Sequence, residues 1–154
     1  MVVLEWMIGS GRNCRRLFHW RSSKSANMVH STHEVVLVED DGGMRKAVTR
    51  MLTGAGYTVR AFESAEALLD ALSGAALWDA SRCLVCDVRL PGVSGMELHR
   101  RISARGPMPP WIFITAHDDQ IVREQTERAA AAYLLKPFEG RTLLALVDRV
   151  IRAP

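Results

Sequence analysis

From residue 34 onward, segments whose apolar residues are spaced as in strands alternate with segments whose apolar residues are spaced as in helices. Short continuous apolar runs are typical of strands covered on both faces of a sheet, and they occupy residues 35–38, 83–86, 111–114 and 132–135. Residues 57–62 alternate between polar and apolar instead, which predicts a strand nearer the edge of the sheet. The chain therefore contains five predicted strands.

Between the strands, apolar residues recur with the period of a helix. The first helical stripe runs from Met44 to Ala55 beside two glycines, and the second helix follows Ser64, which we place at its N-cap. Three more helices are predicted at about residues 95–104, 119–131 and 143–151. The fourth has a thin apolar face, which predicts a weakly anchored element.

Five strands that alternate with five helices through short loops predict an α/β fold. We expect a flavodoxin-like, doubly wound, five-stranded parallel sheet with helices on both faces. The edge-like pattern of residues 57–62 favours the strand order 2-1-3-4-5.

The net charge of +3 on these 154 residues is unevenly distributed. Residues 1–33 have a net charge of +4 and no sustained period, whereas residues 34–154 have a net charge of −1. We interpret residues 1–33 as a basic, disordered leader, or as translated upstream sequence before Met28. A short membrane-surface segment is the less favoured alternative, and the apolar start precedes the arginines, which is the wrong order for a secretory signal.

The body of the chain, residues 34–154, is expected to form a single domain. Its charge does not favour nucleic acid, so we expect no direct DNA binding. No apolar run approaches the roughly 18–20 residues that span a bilayer, so no membrane span is expected. Cys83 and Cys86 have a spacing that also occurs in redox and metal sites. Because they lie within a strand-like apolar run, we interpret them as buried structural thiols. Cysteines that form no disulfide are typical of cytoplasmic proteins, so we expect a cytoplasmic location.

Polar side chains stand where the predicted strands end. Glu39 and Asp40 follow the first strand, Asp87 the third, Thr115 closes the fourth and Lys136 follows the fifth. The carboxyl ends of parallel strands meet at one edge, where doubly wound folds bind ligands. Three carboxylates there would repel one another unless a cation such as Mg²⁺ compensated them, and a lysine suits a phosphoryl oxygen. The chain has neither a P-loop nor a dinucleotide fingerprint, so no bound nucleotide is expected.

The stretches VVLVEDD, DVRLPGVSG, IFIT and YLLKPF, in this order over residues 34–152, resemble the receiver domain of two-component response regulators. The stretch FESAEALL is similar to the FixJ-type subgroup. The resemblance implies that Asp87 is the phosphoacceptor and also a Mg²⁺ ligand, and that Asp40 is a direct Mg²⁺ ligand. It implies that Glu39 acts on the metal through water, and that the main-chain carbonyl of Arg89 completes the protein's ligands.

The same resemblance implies that Thr115 and Lys136 contact the phosphoryl group and that Tyr133 turns inward upon activation. The donor would be a histidine kinase or a phosphotransfer protein. The product would be an acyl phosphate that hydrolyses slowly, so the chain would be a self-modifying signalling protein rather than an enzyme. The fourth helix, fifth strand and last helix would then form a face for an unknown downstream protein, or for a phosphorylation-dependent homodimer.

Alternatives remain at this level. The chain ends just after the last predicted helix, which predicts a stand-alone regulator unless the sequence is truncated. A pseudo-receiver that binds proteins without phosphorylation is the alternative function, and a small hydrolase is less favoured because no separate general base is found. Arg89 and His117 flank the predicted site, either to tune the lifetime of the phosphoryl group or simply as exposed loop residues.

Overall fold

The computed structural model of the chain describes residues 33–72, 81–116, 124, 126 and 131–152. The predictions for the leader up to residue 32, for His117 and for most of the fourth helix lie outside these residues. Of the range predicted for that helix, residues 124, 126 and 131 are described, and the first two are helical.

Five parallel strands form one sheet in the order β2-β1-β3-β4-β5, which confirms the predicted topology. The strands are β1 Glu34–Val38, β2 Thr58–Phe62, β3 Ser81–Asp87, β4 Trp111–Thr115 and β5 Ala132–Leu135. The side chains of β4 are buried throughout and those of β1 from its second residue onward, whereas β2 at the edge is mostly half-buried or exposed. The strand with the alternating pattern therefore lies at one edge of the sheet.

Four helices are fully described: α1 Gly42–Gly54, α2 Ala65–Leu72, α3 Gly95–Ser103 and α4 Gly140–Arg152. Side-chain oxygens satisfy free N–H groups in the first turns of three of them. Ser64 Oγ accepts from Ala67 N at 3.1 Å, as the sequence predicted. Asp41 Oδ1 accepts from Met44 N at 2.6 Å and caps α1. Among the described residues, no helix is long and apolar enough to cross a membrane.

The two faces of the sheet carry separate hydrophobic cores. Leu68 of α2 and Leu98 of α3 pack on one face, while Val48 of α1 and Leu143 of α4 pack on the other. All four side chains are buried. The fold is a three-layer α/β sandwich in which the sheet is the middle layer.

The two cysteines of β3 belong to different cores. Cys86 lies in the α2–α3 core and Cys83 in the α1–α4 core, because residues three apart in a strand point to opposite faces. Both thiols are free and fully buried. Burial raises the pKa of Cys83 to about 12 and that of Cys86 well above its ordinary value. They are structural thiols and cannot share a metal or a disulfide.

His99 of α3 lies against the aromatic side chains of β4. Its ring is edge-on to Trp111, with centroids 4.9 Å apart, and tilted against Phe113 at 5.7 Å. Its buried Nε2 has no hydrogen-bond partner among the described residues, and burial lowers the pKa of His99 below 6.5. Because the folded pKa is below the unfolded one, protonation favours the unfolded chain.

We therefore expect His99 to make the fold sensitive to mild acid. Its contribution to the free energy of unfolding is fully present above pH 6.5 and is lost as the pH falls through the folded pKa, with a slope of at most about 1.4 kcal/mol per pH unit. Urea unfolding at pH 7.5 and 5.5 measures this loss, which should be smaller in His99→Phe. His33→Gln, at an exposed site, is the matched control. Equal losses in wild type and His99→Phe would contradict the expectation.

Candidate functional site

The carboxyl edge of the sheet brings together acidic groups from two neighbouring strands. One carboxylate oxygen from each of Glu39, Asp40 and Asp87 lies within 4.8 Å of the other two, and we call these three residues the acidic cluster. Lys136 joins them from the end of β5. Its Nζ lies 2.8 Å from Glu39 Oε2 and 2.5 Å from Asp87 Oδ2.

Main-chain hydrogen bonds continue the sheet past the strand ends and hold these residues in place. Glu39 N donates to Phe62 O at 3.1 Å, and Lys136 N donates to Thr115 O at 2.7 Å. Arg89 N donates to Asp87 Oδ1 at 2.8 Å. Both oxygens of Asp87 are therefore engaged, one by this N–H and one by the ammonium of Lys136.

Arg45 is a part of the site that sequence reasoning missed. From the first turn of α1, its Nη1 donates to the main-chain oxygens of Glu39 at 2.8 Å and Asp40 at 3.1 Å. The guanidinium thus fixes the backbone that presents two members of the acidic cluster. The sequence does place a basic residue shortly after the acidic pair, which could have indicated a contact. However, Arg45 binds main-chain carbonyl groups, and every residue has one, so the sequence pattern does not identify its partners.

Gly95, the first residue of α3, gives the helix its close approach to the site. A methyl group at this position would collide with the main-chain oxygen of Asp87 and would lie 3.0 Å from Cys86 Sγ. Gly95 N also donates to Val88 O at 3.0 Å. A side chain here would push α3 away from the strand end that carries Asp87.

Burial makes the charges of the site strongly interdependent. The side chain of Glu39 is 2% exposed, that of Asp87 8% and that of Lys136 17%. Burial raises the pKa of Glu39, although Lys136 partly offsets the rise. Burial alone would lower the pKa of Lys136, but its hydrogen bonds and ion pairs with Asp87 and Glu39 prevail, so that its pKa is raised and the ammonium stays charged.

The donor set of the acidic cluster fits a hard divalent cation. Three carboxylates face one lysine, which leaves an excess of negative charge at a partly buried site, and oxygen atoms are the ligands that Mg²⁺ prefers. Asp40 is exposed, so the site is open to water on that side. The cluster could therefore hold a metal ion such as Mg²⁺. The metal role of the Arg89 carbonyl stays a prediction.

The two predicted switch residues lie on adjacent strands. Thr115 ends β4 and is 1% exposed, and Tyr133 in β5 is half-buried and pairs in register with Phe113. Thr115 O accepts from Lys136 N, and this main-chain bond just past the end of β5 holds the two residues side by side. Their part in switching stays a prediction.

Comparison with known proteins identifies the family to which this arrangement belongs. The sequence profile of the response regulator receiver domain matches residues 35–148. The transcriptional regulatory protein FixJ of Bradyrhizobium diazoefficiens is 36% identical over 119 residues, which are 77% of this chain and 56% of that protein. The DNA-binding transcriptional regulator NtrC of Klebsiella pneumoniae is 40% identical over 116 residues, 75% of this chain and 24% of that protein.

Solved structures agree. The BeF3-activated DrrB receiver domain superposes with a TM-score of 0.68 at 30% identity, covering 79% of this chain and 99% of that one. Full-length FixJ from B. japonicum superposes with a TM-score of 0.68 at 35% identity, and the match covers 78% of this chain and 58% of that one. This chain spans only about half of FixJ and a quarter of NtrC. From the profile match, the FixJ-like sequence and the acidic edge of a 2-1-3-4-5 sheet, we conclude that this chain belongs to the receiver-domain family of two-component response regulators.

Proposed function

We propose that this chain is a receiver that accepts a phosphoryl group on Asp87 from a phosphohistidine of a histidine kinase or phosphotransfer protein, with Mg²⁺ bound at the acidic cluster. The observation that carries the proposal is the contact of Lys136 Nζ with Asp87 Oδ2, at 2.5 Å, beside two further carboxylates. A buried carboxylate that faces both a cation and a divalent metal site is suited to attack a phosphorus atom and to hold the group afterwards.

The chain's own residues provide most of the chemistry. A carboxylate oxygen of Asp87 attacks phosphorus, the bond from phosphorus to the donor imidazole nitrogen breaks, and that nitrogen leaves with the electron pair. The ammonium of Lys136, already beside Asp87, stabilises the charge on the phosphoryl oxygens. The Arg89 N–H orients the carboxylate through its bond to Oδ1. Thr115 supplies a hydroxyl for the phosphoryl group from the adjacent strand.

When bound, Mg²⁺ supplies positive charge that offsets the repulsion between the incoming phosphoryl group and the carboxylates. Asp40 would hold it directly, and Glu39 would hold it through water. Asp87 and the main-chain carbonyl of Arg89 would complete the set. Arg45 fixes the backbone of Glu39 and Asp40 and so keeps both carboxylates directed to this site.

The phosphoryl group would also drive the switch. Its charge attracts the Thr115 hydroxyl, and Tyr133 on the neighbouring strand turns inward into the space that is left. The equilibrium between two arrangements of β4, β5 and the surrounding helices then shifts. The output is a changed surface for a downstream protein or for a second copy of this chain. A cytoplasmic location and a basic segment at residues 1–33 are part of the same proposal.

A small phosphodonor and metal removal test the proposal. With acetyl phosphate and Mg²⁺, the purified chain should gain the mass of one phosphoryl group. With EDTA in place of Mg²⁺, the gain should fall by at least about a hundredfold, because the carboxylates then repel the donor uncompensated. Intact-protein mass spectrometry at timed intervals measures both. No gain in a folded sample with Mg²⁺ would favour the pseudo-receiver, a module that binds proteins without phosphorylation.

A further inference from the structure

Residues 88–94 form the loop that joins β3 to α3, and its inner part is firmly anchored. Val88 N donates to Ile114 O at 2.8 Å, and Val88 O accepts from Gly95 N at 3.0 Å. The side chains of Val88 and Leu90 are buried in the α2–α3 core. This inner part follows Asp87 directly, so its conformation determines how the site is presented.

The outer part of the loop has less support of its own. Pro91 and Gly92 are exposed, and Gly92 has a φ of 73°, which favours glycine. A hydrogen bond from another element reaches this part: Val93 N donates to Glu66 Oε1 at 2.9 Å, across 27 positions of the sequence. The loop is thus held at its outer end by a side chain from α2.

Glu66 is well placed to hold the loop because its own backbone is fixed. It lies in the first turn of α2, next to Ala65, which is fully buried, and Ser64 Oγ holds the N–H of Ala67 one residue beyond it. A methyl group on Gly92 would lie 2.6 Å from Glu66 Oε1. The carboxylate therefore lies directly over the backbone of Gly92, where the φ of 73° also favours glycine.

The bond is also charge-assisted. The pKa of Glu66 is lowered, chiefly by the N–H of Val93, and the positive charge of Arg101 on α3 acts in the same direction. Glu66 is accordingly ionised at neutral pH. Ionised acceptors make stronger hydrogen bonds than neutral ones.

We propose that Glu66 is a positioning residue for the phosphorylation site: it holds the loop of residues 88–94 in the conformation that allows the acidic cluster to bind a divalent cation. This inference rests on the proposed function, because it assumes that the cluster binds Mg²⁺. Glu66 is not one of the three carboxylates of the acidic cluster. It acts through the main chain of Val93 and Gly92, and from there through the backbone of Arg89 and Asp87.

Mg²⁺ affinity of the full chain, measured by calorimetry, tests the inference in Glu66→Ala. Loss of a group that orients metal ligands typically weakens binding by about 10–100-fold, and an exposed group that acts through a loop should give about threefold to tenfold. Glu66→Gln keeps an oxygen acceptor and should retain most of the affinity. Glu63→Ala removes a nearby exposed carboxylate and is the matched control for charge.

Hydrogen exchange of the Val93 amide, followed by NMR without metal, gives a second measurement. It should become roughly tenfold faster in Glu66→Ala, as expected for the loss of a charge-assisted hydrogen bond, and stay unchanged in Glu63→Ala. If Glu66→Ala binds Mg²⁺ like wild type, or no more weakly than Glu63→Ala, the positioning role is wrong and the proposed function stands. If wild type itself binds no Mg²⁺, the proposed function fails and the inference falls with it.

Discussion

Asp87→Asn is expected to lower phosphoryl uptake from acetyl phosphate and Mg²⁺ by at least about a thousandfold, as the loss of a nucleophile does in other group-transfer sites. The amide has the same shape, so the Arg89 N–H keeps its acceptor. However, a carboxamide oxygen is a poor nucleophile. The NH2 group of the amide replaces the oxygen that accepts from Lys136 Nζ, and it cannot accept that bond. The substitution therefore removes the nucleophile and the contact with Lys136, and it keeps the bond to the Arg89 N–H.

Asp70→Asn is the matched control, because Asp70 is an exposed carboxylate on α2. It should gain a phosphoryl group at the wild-type rate. Circular dichroism and urea unfolding verify that Asp87→Asn is folded, and mass spectrometry follows uptake in all three proteins. Uptake by Asp87→Asn at a rate near that of wild type would mean that another residue is the acceptor.

The sequence predicted which side chains meet at the carboxyl edge of the sheet because the rule involved is geometric. Parallel strands end at one edge, so the residues that follow the apolar runs at Glu39, Asp87 and Lys136 had to meet there. The contacts of Lys136 with both carboxylates agree with this reasoning. What each group does chemically came from family resemblance rather than from the pattern, and it remains a proposal.

The contacts that the sequence did not predict pass through the main chain or across long separations. Arg45 binds carbonyl oxygens, and Glu66 accepts from an amide 27 positions away. Gly95 is required because any side chain there would collide with the backbone of Asp87. None of these leaves a periodic signal. The predicted third strand also began two residues late, because main-chain pairing, here between Ser81 and Glu34, extends a strand beyond its apolar run.

Lys136→Met is expected to destabilise the fold by about 2–4 kcal/mol in EDTA, because it leaves two buried carboxylates facing each other without their cation. Methionine preserves the apolar stem, so little packing is lost. Mg²⁺ should restore more stability to this variant than to wild type, since the metal then supplies the missing positive charge. Phosphoryl uptake should still fall by about a hundredfold in saturating Mg²⁺, because no ammonium remains beside the phosphoryl oxygens.

Urea unfolding with EDTA and with Mg²⁺ measures these effects, and Lys46→Met, at an exposed position on α1, is the matched control. A double variant, Glu39→Gln with Lys136→Met, should recover part of the loss in EDTA because one of the opposed charges is gone. If Lys136→Met is as stable as Lys46→Met in EDTA, then Lys136 does not compensate the negative charge of the two carboxylates.

The pH dependence of Lys136→Met separates charge repulsion from lost packing. The pKa of Glu39 is raised above 4.5 by burial even with Lys136 present, and without the lysine it should rise further. A carboxyl group with a raised folded pKa stabilises the fold only while it is protonated. The destabilisation of the variant in EDTA should therefore be small below pH 4.5 and should increase as the pH rises through the folded pKa of Glu39. A destabilisation that does not change between pH 4.5 and 7.5 would instead indicate lost packing.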